Sequence, residues 1–293
     1  MEIAGIEDFC HALRKRDPYS NKRENGKVFI VGGNGTFHGA PVLASTAAYS
    51  TLAAMRTGSG YAITCVPEQI VDAVRKLSPD IIVKGIPGKS IGMKSVKLLE
   101  SEADKADSIV IGPGIGREKE TEKAIARVVN HAVKSGKCVI VDADAIGALK
   151  GIKEREKLLI TPNDNEFHKI TGKTLPVKDL KARVGYAKNA ALRFGTVILL
   201  KGHDTIVTDG KMVKVIRAKT AALATMGSGD VLSGIIGGLS SGNGDVFSSA
   251  IAGAFVHTQI GDYLYSKKGY HILASDIVDA IPEVMKKLER RCR

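Results

Sequence analysis

The run Thr225-Met226-Gly227-Ser228-Gly229-Asp230-Val231-Leu232-Ser233-Gly234 sets two glycines around a serine, an aspartate next, and a small-residue apolar stretch at once after it. Glycine lets the backbone turn tightly and come close to a bound group. If the apolar stretch is a helix, its first N–H groups are free and, with the helix dipole, make an anion site at Gly227, Ser228 and Gly229. A carboxylate at the mouth of such a site is repelled by its ligand, so Asp230 needs a reason to stand there. Accepting a proton beside a moving phosphoryl group is one reason. A helix start with Asp as its cap is the plain alternative.

Four other segments carry groups of the same kind. In Lys201-Gly202-His203-Asp204-Thr205, the lysine and the Gly202 N–H would meet phosphate if they face a crevice; otherwise Lys201 is a surface charge and His203 and Asp204 are loop residues. Asn163-x-x-Glu166 follows Pro162 and reads either as a helix cap or as a polar pair holding the hydrated metal on a nucleotide's phosphates. Asp142 and Asp144 alternate at a strand end. One of them suits a cap and the other a water-mediated Mg²⁺ contact, because Mg²⁺ keeps several waters and takes few carboxylates. Gly112-Pro113-Gly114-Ile115-Gly116 is a tight turn, or a backbone surface on which a flat or phosphate-bearing ligand lies closely. The glycines at 33, 35 and 39 have the wrong spacing for a dinucleotide fingerprint, and no acidic residue closes a following strand about 20 positions on. There is no G-x-x-x-x-G-K followed by Ser or Thr, which excludes a P-loop.

These segments share a position. Short β-branched runs at 28–31, 61–66, 81–86, 108–111, 138–141, 158–161 and 197–201 read as strands that are apolar on both faces, as buried parallel strands are. Helical patterns separate them at 40–56, 67–76, 121–134 and 180–194, with Pro67 suited to a first helical turn. Residues 206–208 and 212–216 around Asp209-Gly210 read as a hairpin, and 231–239, 245–265 and 275–288 as a helical final third. Alternating β and α implies a mostly parallel sheet with helices on both faces. In such folds ligands bind beyond the carboxyl ends of the strands. Five of the strands end there in Gly, Asp, Asn, Lys or Thr. No linker, repeat or low-complexity tract divides residues 1–293, so a single domain is expected.

Composition narrows the partners. The formal charge of +12 is spread along the chain, which fits solvated helix faces or attraction of small polyanions such as nucleotides. With no Trp and only 5% aromatic residues, base-stacking platforms are poorly supplied, and no nucleic-acid motif is present. No apolar run reaches the roughly 18 residues that span a membrane, and residues 1–11 lack a signal-peptide core. Cys10, Cys65, Cys138 and Cys292 form no C-x-x-C pair, which points to a reducing, cytoplasmic setting.

Taken together the motifs resemble the ribokinase-like superfamily, whose mark is a Gly-rich anion hole ending in a catalytic Asp, here Gly227-Ser228-Gly229-Asp230. Within it the chain is most similar to the ADP/ATP-dependent NAD(P)H-hydrate dehydratases. The likeness rests on Val31-Gly32-Gly33 leading to Gly39-Ala40-Pro41-Val42-Leu43-Ala44, on Ile111 to Gly116, on Val141 to Ala145, on Lys201-Gly202-x-x-Thr205 and on Gly229 to Ile236. It implies a three-layer α/β/α sandwich with a mostly parallel central sheet and an antiparallel edge hairpin. It implies repair of hydrated NADH or NADPH (NADHX, NADPHX), in which the phosphoryl group of ADP or ATP goes to the ring hydroxyl and phosphate then leaves, with Mg²⁺ as cofactor. By motif position Ala40, Gly114, Asn163 and Asp230 would contact the hydrate, and Lys201, Gly202, His203, Asp204, Thr205 and Gly229 the adenine nucleotide. Asp230 would be catalytic, and Glu166 and Asp142 would reach the metal through water. A homo-oligomer is implied, a tetramer among the forms that fit. Two positions depart from the family pattern. Asn163 stands where His is usual, as in vitamin and sugar kinases, which makes a small-molecule kinase of the same fold the alternative. Met226 stands where a small residue is usual, and its bulk is expected to reshape the anion hole.

Overall fold

The structure is a computed structural model that describes residues 1–35 and 40–292, the side chains of 40–44 excepted. Its strands are β1 (Glu2–Ile3), β2 (Lys27–Val31), β3 (Tyr61–Pro67), β4 (Ile82–Ile86), β5 (Ser108–Ile111), β6 (Cys138–Val141), β7 (Leu158–Ile160), β8 (Val197–Leu200), β9 (Asp204–Thr208) and β10 (Val213–Arg217). Its helices are α1 (Ile6–Ala12), α2 (Ala40–Arg56), α3 (Val71–Arg75), α4 (Val96–Asp104), α5 (Lys119–Lys134), α6 (Asp164–Thr171), α7 (Leu180–Phe194), α8 (Ser228–Asn243), α9 (Val246–Lys268) and α10 (Ala274–Glu289). The strands form one sheet in the order β1-β10-β9-β8-β7-β6-β5-β2-β3-β4. From β8 to β4 every pairing is parallel, while β9 runs antiparallel to both β8 and β10.

Strand alternation separates two apolar layers. Phe29, Val31, Ile109, Ile111, Val139 and Val141 face α4, α5 and α7. Val28, Ile30, Val110 and Ile140 face α2, α8 and α9. A further layer joins α1 and α10 to the outer sides of α8 and α9. This is the expected three-layer sandwich, with the hairpin at one end of the sheet. The outermost position there belongs to β1, which pairs with β10 and was not expected. Two residues are too short to show a period.

The expected helix over 67–76 is a correction. Pro67 is the last residue of β3, at φ −53° and ψ 140°, and a 3-10 turn at Glu68–Ile70 precedes α3. A proline with extended ψ continues a strand as readily as it opens a helix. Short α1 and α4 also escaped the sequence reading, which held α6 only through the cap at Asn163. The small residues of α2 have a use within the chain: a Cβ at Gly234 of α8 would collide with the Ser50 carbonyl of α2, so these two helices pack backbone to backbone. That contact is what carries the amino end of α8 up to the strand-end loops.

Cys10 and Cys292 form a disulfide between α1 and the residues after α10, 282 positions apart, while Cys65 and Cys138 are buried and free. The cysteines therefore do not argue for a reducing setting. No helix among the described residues is long and apolar enough to cross a membrane.

Candidate active site

Gly227 is the N-cap of α8 at φ 85°, a left-handed conformation that glycine takes without strain. Asp230 is thus the third residue of the helix, not its cap. Its carbonyl accepts hydrogen bonds from Ser50 Oγ and Ser233 Oγ, both at 2.9 Å, which fix the first turn against α2. Burial, and next the negative charge of Asp142, push the Asp230 carboxyl up to about 7, with Lys201 partly offsetting them. A carboxylate poised near neutral pH has the proton affinity a general base needs.

The anion hole needs one correction. The Ser228 N–H turns back to Thr225 O at 3.3 Å, and the Ser228 hydroxyl meets His257 Nε2 at 3.1 Å. The first turn of a helix has N–H groups without intrahelical partners, so Gly227 and Gly229, rather than Ser228, offer theirs to an anion. His257 is buried in α9 beneath this loop, and desolvation pushes its pKa down to about 4, so it is neutral at physiological pH. Met226 is 75% exposed, so its side chain is not packed beneath the loop.

Lys201 follows β8 directly and enters the same centre. Its Nζ lies 2.8 Å from Asp142 Oδ1 and 3.8 Å from Glu166 Oε2. A Cβ built on Gly229 would sit 3.5 Å from Lys201 Nζ, so the lysine faces the opening turn of α8. Although desolvation disfavours its charge, Asp142 and Glu166 hold its pKa above the ordinary value. Asp142 is buried, and its Oδ1 also accepts from Thr161 Oγ1 at 2.6 Å. Of the two strand-end aspartates, Asp142 thus secures Lys201, while Asp144 pairs with Arg117 Nε at 2.6 Å and accepts from the Gly116 N–H. Arg183 is buried in α7, forks onto both oxygens of Asp164 at 2.7 and 2.8 Å, and donates to Lys201 O at 3.3 Å. It ties α6 to the turn that carries Lys201.

A cavity of about 600 Å³ opens beside this centre. Lys201, Gly202, His203, Thr205, Gly229, Ser228 and His257 line it, with Leu223, Leu232 and Ala254 supplying apolar wall. Asp204 does not line it; its carboxylate faces His203 at 3.5 Å. Asn163, which the resemblance set beside the hydrate, also lines this cavity. Its side chain caps α6 by accepting from the Glu166 N–H at 2.9 Å, and Glu166 Oε2 returns to the Asn163 N–H at 2.8 Å.

The Gly33 N–H donates to Pro113 O at 2.8 Å and joins the Gly112 to Gly116 turn, with Gly114, to the loop before α2. A Cβ at Gly112 would run into the Asp142 carbonyl, which is why this turn can lie flat on the end of β6. Ala40 opens α2, and its side chain lies outside the described residues, as do Thr36 to Gly39. His257, Arg183 and Thr161 were missed by the sequence reading. A lone His inside a run of small buried residues was the one available signal, for His257.

A family profile for NAD(P)H-hydrate dehydratase matches residues 28–283. The ADP-dependent (S)-NAD(P)H-hydrate dehydratase of Nitrosopumilus maritimus is 32% identical over 280 residues, covering 95% of this chain and 94% of that protein. The bifunctional NAD(P)H-hydrate repair enzyme of Pyrobaculum aerophilum is 33% identical over 285 residues, 97% of this chain but 55% of that protein, so the chain spans about half the length of such relatives. Among solved structures, a ribokinase-like superfamily protein from Enterococcus faecalis superposes with a TM-score of 0.80 at 26% identity, over 98% of this chain and 96% of that one. The ADP/ATP-dependent NAD(P)H-hydrate dehydratase of Bacillus subtilis, co-crystallised with ATP and Mg²⁺, has a TM-score of 0.77 at 24% identity, over 98% of each chain. With that match over most of its length, the chain belongs to the NAD(P)H-hydrate dehydratase family of the ribokinase-like superfamily.

Proposed function

We propose that the protein dehydrates the hydrated forms of NADH and NADPH at the expense of ADP or ATP. The observation that carries this reading is the Asp230 carboxyl, near neutrality in its affinity for a proton and set in the helix turn that faces Lys201. Ionised Asp230 takes the proton of the ring hydroxyl as that oxygen bonds to the terminal phosphorus of the nucleotide. The bond from phosphorus to the departing AMP or ADP breaks, and the N–H groups of Gly227 and Gly229, with Lys201, share the charge. Phosphate then leaves with the C–O electron pair, driven by the lone pair of the ring nitrogen, and loss of a proton from the neighbouring carbon restores the double bond.

In this reading the adenine nucleotide occupies the 600 Å³ cavity, with Lys201, Gly202, His203, Thr205 and Gly229 around it. The hydrate approaches from the side of Gly114 and Ala40. Among the described residues no group of three or more His, Cys, Asp or Glu is arranged to hold a metal ion, so Mg²⁺ would be carried mainly by the phosphates and water. Glu166, 3.8 Å from Lys201 Nζ, would make an outer contact, whereas the Asp142 oxygen that faces the centre already serves Thr161 and Lys201. The ion would neutralise phosphate charge. Asn163 acts as the cap of α6, which gives the residue behind the kinase alternative an ordinary structural reason.

Incubating hydrated NADH or NADPH with the protein, Mg²⁺ and ADP or ATP should restore the absorbance of the reduced nicotinamide. One phosphate should be released per ring repaired. Absence of recovery with either nucleotide, alongside phosphorylation of a vitamin alcohol, overturns the proposal in favour of a kinase.

A further inference from the structure

His257 sits in α9 among the small buried residues Ala252, Gly253, Ala254 and Val256. A Cβ at Gly253 would run into the Ile236 side chain, so α8 and α9 lie close together there. One helical turn further on, the His257 ring reaches the first residue of α8, with Nε2 at 3.1 Å from Ser228 Oγ. The histidine is 8% exposed and lines the nucleotide cavity together with Ser228. Taking an imidazole out of water is costly, and the phosphoryl transfer derived above makes no use of it.

The chemistry of the pair follows from where its protons sit. Burial keeps the ring neutral at physiological pH, so one ring nitrogen donates and the other accepts. The Ser228 backbone lies near enough to favour a proton on the ring. A backbone group with that effect is a carbonyl acceptor, so Nε2, the nitrogen turned to Ser228, is assigned as the donor and Ser228 Oγ accepts from it. The hydroxyl then keeps its own proton free. The Ser228 N–H is spent on Thr225 O at 3.3 Å, so the hydroxyl is the donor this residue has left for the cavity.

Given the reading that the adenine nucleotide occupies this cavity, we infer that His257 is a positioning residue, which holds the Ser228 hydroxyl so that its proton goes to a phosphate oxygen of the nucleotide beside the N–H groups of Gly227 and Gly229. An uncharged donor suits this place. A cation two residues from Asp230 would lower the proton affinity that the base needs, whereas a hydroxyl held by a neutral imidazole strengthens the anion site without adding charge.

Ser228→Ala removes the hydroxyl, and His257→Leu removes the group that holds it. In titration calorimetry with ADP, Ser228→Ala should weaken binding about tenfold, as for loss of a hydrogen bond to a charged group. His257→Leu should weaken it in the same direction, and the double variant should bind no more weakly than Ser228→Ala, because His257 acts through that hydroxyl. His257→Gln, whose amide N–H can stand where the Nε2–H does, should recover most of the affinity. In steady-state assays of Ser228→Ala, KM for ADP should rise while kcat and KM for hydrated NADPH stay within about twofold. A role in packing alone would lower the melting temperature of His257→Leu and leave the ADP affinity of Ser228→Ala unchanged, and that result overturns the inference. A double variant in which the two losses add overturns it as well. The calorimetry needs no hydrate, so these outcomes are read apart from any failure of the dehydratase reading, which shows only in hydrate turnover.

Discussion

Replacing Asp230 by Asn keeps the shape of the helix turn and removes the titrating group. The Asp230 carboxyl is raised from 3.8 to about 7 in the folded protein, first by burial and then by Asp142. A gap of about three units corresponds to roughly 4 kcal/mol at about 1.4 kcal/mol per unit, and solvent at this partly exposed group lowers the figure to roughly 2–4 kcal/mol. Because the folded pKa lies above the unfolded one, the group costs nothing while protonated in both states. It destabilises the fold progressively as pH rises from about 4 to about 7. Asn cannot ionise, so the variant should be more stable than wild type at pH 8, and the advantage should vanish near pH 4. At roughly 2–4 °C per kcal/mol, thermal melts at pH 8 should rise by several degrees. Turnover should fall about 10²- to 10⁴-fold, the usual worth of a general base, with nucleotide affinity largely kept. The wild-type kcat/KM should rise with pH through an apparent pKa near 7, since the ionised carboxylate is the working form. A variant with near-normal turnover, or one that melts no higher at pH 8, refutes the assignment of Asp230 as a strained base.

Two other expectations follow from the same network and from the chain ends. Lys201→Ala should weaken ADP and ATP binding in titration calorimetry and lower stability by about 3–5 kcal/mol, because it leaves Asp142 buried without its cation; unchanged affinity places Lys201 outside the nucleotide site. Cys10→Ser should leave kcat unaltered and reduce stability in urea by up to about 5 kcal/mol, since the disulfide closes nearly the whole chain; a midpoint equal to that of the oxidised parent shows that the bridge does not constrain the unfolded protein.

The sheet was legible in the sequence because parallel strands buried on both faces read as uninterrupted apolar runs. Five of the expected strands differ from the observed ones by one residue at an end, and β5 and β6 not at all. Their polar ends were legible for the complementary reason, that caps and turns explain any one of them but not five together at the ends of buried strands. What stayed hidden lacks a local period: β1 with two residues, α3 after a strand-ending proline, and the bridge between cysteines 282 positions apart. Asn163 read either as a helix cap or as a polar pair with Glu166 for a hydrated metal, and it is the cap of α6. Met226 looked like an intrusion and points to solvent.

Pairing of side chains across the crevice was the part no pattern could supply. Asp142 lies 59 positions from Lys201 and 88 from Asp230, yet it acts on both. Its charge raises the Asp230 pKa directly, and by holding Lys201 in place it also supplies the cation that lowers it. Burial is the largest cause of the rise, with the charges of Asp142 and Lys201 opposing one another on top of it, while a freely paired carboxylate would hold a proton too weakly to serve as the base. Burial, with the opposed charges of Asp142 and Lys201 beside it, leaves Asp230 near neutrality. Thr161 holds Asp142 and Arg183 holds the Lys201 backbone, so residues outside the α8 turn help to place the charges that act on the base.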